Sequence, residues 1–182
     1  MKKIIKGLFI IIAAALIMGA SVEASAVRYT TKTVALKDKA GGNTLKKVKA
    51  NTKLTVRITG KKWARVIYKG KEYAVVKKYL NKQNSPKKYT ATYFRRAGRI
   101  NWRGCSFTWY SQRVLPGGGL KIPGRHVDGN GFICDRDGYI CIASTIPMKV
   151  KGAIVPTPFG KYGKVYDCGA GSSKWRDVYV SW

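Results

Sequence analysis

Between residues 53 and 76 the chain alternates polar and apolar side chains with a period of two, and this pattern limits it to strands. Leu54, Val56 and Ile58 fall on one side, with Lys53, Thr55 and Arg57 on the other. Trp63, Arg65 and Ile67 likewise alternate with Ala64, Val66 and Tyr68. Gly60-Lys61-Lys62 and Lys69-Gly70-Lys71 interrupt the runs, and Tyr73 to Val76 follows. Period-two runs joined by short glycine turns form antiparallel hairpins. No sustained helical period competes, so the expectation is a small all-β barrel.

The chain beyond residue 100 is also strand-rich. Phe107–Tyr110, Gly138–Ala143, Gly163–Asp167 and Asp177–Val180 read as strands. Turn-forming stretches separate them, including Pro116-Gly117-Gly118-Gly119 and Asp128-Gly129-Asn130-Gly131. Between the two strand-rich regions, the segment around Asn84-Ser85-Pro86 is polar, aperiodic and contains proline, which marks a linker. Four parts are therefore expected: 1–26, 27–82, a linker at 83–88, and 89–182.

The first part reads as a secretory signal peptide. Lys2, Lys3 and Lys6 precede an apolar run from Gly7 to Met18, and Ala24-Ser25-Ala26 supplies a small-residue cleavage site. The competing reading, an uncleaved anchor, is disfavoured by the shortness of that run. The expected product is a secreted, cell-wall-associated protein that acts as a monomer, without a transmembrane segment after cleavage.

Charge narrows the partners. The chain carries 36 Lys and Arg against 8 Asp and Glu. Three of those lysines and Glu23 lie in the leader, leaving +26 on the remainder. Such a field draws in polyanions and is screened by salt. Outside the cytoplasm the polyanions at hand are peptidoglycan carboxylates and wall teichoic acid, so nucleic acid is set aside as a partner.

Cys105, Cys134, Cys141 and Cys168 make an even set, which in an exported chain suggests disulfides whose connectivity the sequence leaves open. A zinc site competes, but there is no C-x-x-C pair and a single histidine, so neither metal nor cofactor is expected. A Cys–His peptidase built on Cys105 or Cys141 lacks any local motif, and disulfide pairing would consume the thiols.

The carboxylates divide into two groups. Asp128, Asp135 and Asp137 lie in glycine-rich turns and read as turn-forming residues. Asp167 and Asp177 lie at the ends of apolar strands, where aspartate is disfavoured, so each needs donors or a task. His126, within Arg125-His126-Val127, is of a residue type suited to proton transfer and is a groove candidate along with Arg125. Trp109 and Tyr110 could stack on sugars, core packing being the default for any one ring.

Two resemblances sharpen these expectations. Leu45–Lys49, Lys53–Ile58, Trp63-Ala64-Arg65-Val66, Gly70–Val75 and Lys78-Tyr79-Leu80 resemble a bacterial SH3-type (SH3b) domain, although Ala74 stands where that family often has tryptophan. The resemblance implies wall or peptide binding, and a barrel that only spaces or anchors its neighbour is the alternative. Thr157-Pro158-Phe159-Gly160, then Gly163–Gly169, then Arg176–Val180 resemble the C-terminal half of the three-aspartate (3D) domain. That family groups with rare lipoprotein A-like proteins, expansins and a lytic transglycosylase, and it implies a six-stranded double-psi β-barrel-like domain.

Carried over by position, Asp167 and Asp177 match the second and third aspartates, while Ala143 in Ile140–Ser144 replaces the first. The resemblance implies a glycan-strand cleavage in which Asp167 protonates the glycosidic oxygen and Asp177 orients it. The sugar's own 6-hydroxyl would then close a 1,6-anhydro ring. With Ala143 in place of an acid, the expectation is a peptidoglycan-binding protein to which the retained acid pair leaves a glycan-strand-cleaving, lytic transglycosylase-like activity open. A non-catalytic expansin-like module, or a basic factor for anionic envelope polymers, is the alternative. N-terminal sequencing of protein from the wall fraction is expected to begin Val27-Arg28-Tyr29. Intact Met1 on cytoplasmic protein would overturn the compartment assignment.

Overall fold

The computed structural model describes residues 25–111, 120–145, 151–169 and 171–182. Apart from Ser25 and Ala26, the expected leader lies outside the described residues, as does the turn at 116–119. The rest is mostly strand, in two sheets, so the all-β expectation holds at that level.

The first sheet comprises β1 (Ala26–Thr30), β2 (Val34–Lys37), β3 (Thr44–Val48), β4 (Lys53–Thr59), β5 (Trp63–Tyr68), β6 (Lys71–Val76) and β7 (Leu80–Asn81). Their order is β3-β2-β6-β5-β4-β1-β7, and every pairing is antiparallel. Alternation decides which face is buried. Leu54 and Val56 on β4 pack with Ala64 and Val66 on β5, Val75 on β6 and Leu36 on β2. The β5–β6 hairpin turns on Lys69 and Gly70, both at positive φ (50° and 76°), the geometry that matches the twist of paired strands.

A short helix, α1 (Ala91–Ala97), opens the second region and escapes the alternation argument. Its ends were nevertheless written in the sequence. The Thr90 hydroxyl accepts the Tyr93 N–H, and Gly98, at φ 68°, closes the helix. Only Phe94 is buried, too few apolar positions to set up a helical period.

The second sheet comprises β8 (Arg99–Trp102), β9 (Cys105–Ser111), β10 (His126–Val127), β11 (Ile133–Cys134), β12 (Ile140–Ser144), β13 (Ile154–Pro156), β14 (Tyr162–Asp167) and β15 (Trp175–Val180). The main path runs β10-β11-β12-β15-β9-β8, with β14 against β12 and β13 against β14. Two pairings are parallel, β9 with β15 and β12 with β14. β14 comes so close to β12 that a Cβ on Gly163 would clash with Cδ1 of Ile142 and lie 2.9 Å from its Cγ1. No helix among the described residues is long and apolar enough to cross a membrane.

The four cysteines require a correction. Disulfides were expected, but all four thiols are free. Strand alternation gives the reason for the nearest pair. Cys134 packs with Ile140 and Val178 on one face, whereas Cys141 packs with Ile133 and Tyr179 on the other. Cys134 and Cys141 therefore point apart despite lying on adjacent strands.

The segment 83–88 joins the sheets and is held by both. Ser85 is fully buried. Its hydroxyl accepts the Thr157 N–H at 2.9 Å and lies within reach of the Thr157 and Lys161 carbonyls. Its N–H donates to Asn51 Oδ1 at 2.7 Å, and the Asn51 amide donates to the Ser85 and Gly160 carbonyls. Asn51 sits at φ 63°, which asparagine tolerates better than most residues. Direct contacts add to this seam. Thr31 shares a 2.7 Å hydrogen bond with Tyr139, Lys32 pairs with Asp137 at 2.5 Å, and Asn81 donates to Ile154. Replacing Ser85 with alanine strands several buried polar groups and is expected to lower the unfolding free energy by about 1–3 kcal/mol, read by urea denaturation.

Candidate functional site

Three strands place Asp167 and Asp177. In the parallel β12–β14 ladder Ala143 lies opposite Asp167, and in the antiparallel β12–β15 ladder Ala143 lies opposite Asp177. The two acids thus flank one alanine at one level of the sheet. A bulge in the β12–β14 ladder, between Ile142 and Ala143, brings Asp167 into that register. Both aspartates are half-buried.

Each carboxylate is held by neighbours on the same face. Thr108, the register partner of Asp177 on β9, donates its hydroxyl to Asp177 Oδ1. Asp167 Oδ1 accepts the Cys168 N–H at 2.9 Å, and Oδ2 accepts the Tyr179 hydroxyl at 3.2 Å. Burial and the nearby Asp167 and Asp177 charges push the Tyr179 phenol well above its ordinary range, so it acts as a donor. Thr108 and Tyr179 were not singled out in the sequence. Period-two spacing from Asp177 puts Tyr179 on its face, but Thr108 needed the strand pairing.

The remaining expected residues distribute as alternation requires. Tyr110 is exposed and shares the face of Thr108, its ring 6.2 Å from that of Tyr179. Trp109 turns to the opposite face, packing against the main core with its ring 6.2 Å from Trp182. Trp109 is therefore not brought to the acids. His126 is exposed on β10, two strands from β12, and its Nδ1 lies 3.0 Å from the Gly124 carbonyl. Arg125 lies close enough to Cys141 for its charge to act on that thiol. Burial nonetheless pushes Cys141 up to about 12 and Cys134 up to about 11, which leaves both poor nucleophiles.

The turn acids turn out to have second tasks. Asp135 is buried and accepts the Asp137 and Tyr139 N–H groups on one oxygen. Its other oxygen takes the Tyr166 hydroxyl at 2.7 Å and the Lys164 ammonium at 3.3 Å. Asp128 accepts the Asn130 and Phe132 N–H groups and pairs with Lys161 at 2.6 Å. Burial alone would raise the Asp128 carboxyl, but the Lys161 ammonium and those two N–H donors outweigh it and hold it below 3.8. Among the described residues no cluster of three or more His, Cys, Asp or Glu could hold a metal ion.

Compared with protein-family models, with curated proteins and with solved structures, the chain finds no match. What this level of the sheet offers is fixed acceptors beside an exposed aromatic ring: carboxylate oxygens at Asp167 and Asp177, with Tyr110 alongside. This is the equipment for gripping a hydroxyl-rich ligand.

The Asp128–Lys161 pair gives a stability test. Because the Asp128 carboxyl is lowered in the folded protein, its contribution is fully present above 3.8 and lost as pH falls through the lower folded value. Lys161→Gln is expected to cost about 1 kcal/mol at neutral pH, since the lysine is partly exposed. The difference from wild type should shrink in acid, as followed by urea unfolding at stepped pH.

Proposed function

We propose that this is a secreted envelope protein that binds peptidoglycan glycan strands through the acid pair of its second sheet. The observation that carries the reading is the alignment of Asp167 and Asp177 on either side of Ala143. Sugar hydroxyls and acetamido N–H groups are donors, and an acceptor pair with a neighbouring ring complements them. Two parallel pairings within one small sheet support the double-psi reading of residues 89–182. The seven-strand antiparallel first sheet supports the SH3-type reading of residues 27–82.

Binding is favoured over cleavage by what the carboxylates already do. Each oxygen of Asp167 accepts one protein hydrogen bond, which fixes the carboxylate in place as an acceptor with a lone pair to spare on each oxygen. The alanine between the acids removes the third carboxylate that the resemblance leads one to expect. The proximity of two carboxylates keeps a second reading, glycan cleavage with Asp167 as the acid.

The mature protein is expected to sediment with purified peptidoglycan, and Asp177→Asn to weaken that binding roughly tenfold, as loss of a charge-assisted hydrogen bond would. Circular dichroism should be unchanged. Mass spectrometry of the incubated polymer is expected to find no 1,6-anhydromuramyl ends. Such ends, abolished by Asp167→Asn, would make the protein an enzyme. Failure to sediment at all would reject the reading.

A further inference from the structure

A concave surface lies in the first sheet. It is a depression of about 760 Å3 whose rim carries Arg28, Lys61, Lys62, Lys77 and Lys78. Its floor is Val56, Val76 and Leu80. The cations come from β1, the β4–β5 turn and the helical turn Lys77–Tyr79, so the fold gathers them from three places in the sequence. No carboxylate lines the depression, and none of the five forms an ion pair with a described residue.

The first sheet is not short of acids by accident of position. Residues 27–82 contain two carboxylates, Asp38 and Glu72. Both line a different depression, where Glu72 pairs with Arg65 at 2.8 Å. Acids and unpaired cations are thus separated on one small barrel. Asp137 of the second sheet lies near Lys78, yet the depression itself gathers five like charges and no acid, and a polyanion lying in it relieves their self-repulsion.

Local contacts orient the charges. Arg28 donates one guanidinium N–H to the Val27 carbonyl at 2.9 Å, Lys77 Nζ lies 3.4 Å from the Gly60 carbonyl, and Lys78 Nζ sits 5.1 Å from the Tyr79 ring centroid. The apolar floor suits the lysine stems, which can lie along it with their ammonium groups in water.

We propose that this depression is a binding groove for a linear phosphodiester polymer. Four of the five cations are lysines. The fork of arginine matches planar carboxylate and phosphate in fixed orientations, whereas lysine binds phosphate as a mobile point charge that needs no fixed orientation of its partner. A flexible chain with one negative charge per repeat fits such a rim. The inference rests on the extracellular placement proposed above but not on the acid pair.

The test uses the mature chain, residues 27–182, titrated with poly(glycerol phosphate) at several salt concentrations. Lys62→Gln/Lys78→Gln is expected to weaken binding at least tenfold. It should also reduce the slope of log affinity against log salt by about 0.7 per lysine removed, the value for a single-stranded phosphodiester. Lys47→Gln/Lys49→Gln removes the same charge from outside the groove and is expected to change affinity less than threefold. Equal losses in the two double variants would overturn the groove in favour of overall charge. Equal binding of polygalacturonate, with the same dependence on Lys62 and Lys78, would overturn the choice of phosphate. Sedimentation on peptidoglycan stripped of phosphate polymers, which should not distinguish the groove variant from wild type, keeps this outcome separate from that of glycan binding.

Discussion

β12 has paired strands on both sides at Ile140, Ile142 and Ala143, and the second sheet is organised around that fact. Its first residue pairs with β11 and β14, and its later residues with β14 and β15. A strand so enclosed has little freedom of register, because a slip of one residue would turn Ile140 and Ile142 out of the core. Fixing β12 fixes the level of Ala143, and with it the two aspartates on neighbouring strands. Gly163 belongs to the same constraint, since a side chain there would push β14 away from Ile142.

Against this background the limits of the sequence can be stated residue by residue. The four principal strands of the second sheet and the hairpins of the first were legible because alternation is a local property. The alignment of Asp167 with Asp177 was legible only as two acids at strand ends. Their common level depends on a bulge and on a parallel pairing, and neither leaves a local mark. Trp109 was a reasonable ring to suspect, yet its neighbours Thr108 and Tyr110 take the face of the acids and alternation sends it to the core. The cysteines failed for a related reason. An even count says nothing about which way each Cβ points, and strands β11 and β12 aim Cys134 and Cys141 to opposite faces.

Ser85 teaches a different lesson. Asn84-Ser85-Pro86 has the composition of a loose connection, and composition is a poor guide where a backbone turn presents its own polar groups to another part of the fold. One hydroxyl, one asparagine amide and the carbonyls of Thr157, Lys161 and Gly160 satisfy one another there. Once buried, such a set is costly to leave half-made, so the seam favours one arrangement. Asn51 contributes from the first sheet and Thr157 from the second, which ties the packing of each to the other.

That seam has a mechanical corollary. Two modules on a slack tether search space independently, and the second engagement depends on tether length. Here a phosphate chain on the lysine rim and a sugar strand at the aspartates would be held at a bearing and separation set by covalent and hydrogen-bonded geometry. The molecule would then work as a caliper, favouring wall architectures in which sugar strand and phosphate chain lie at one particular offset.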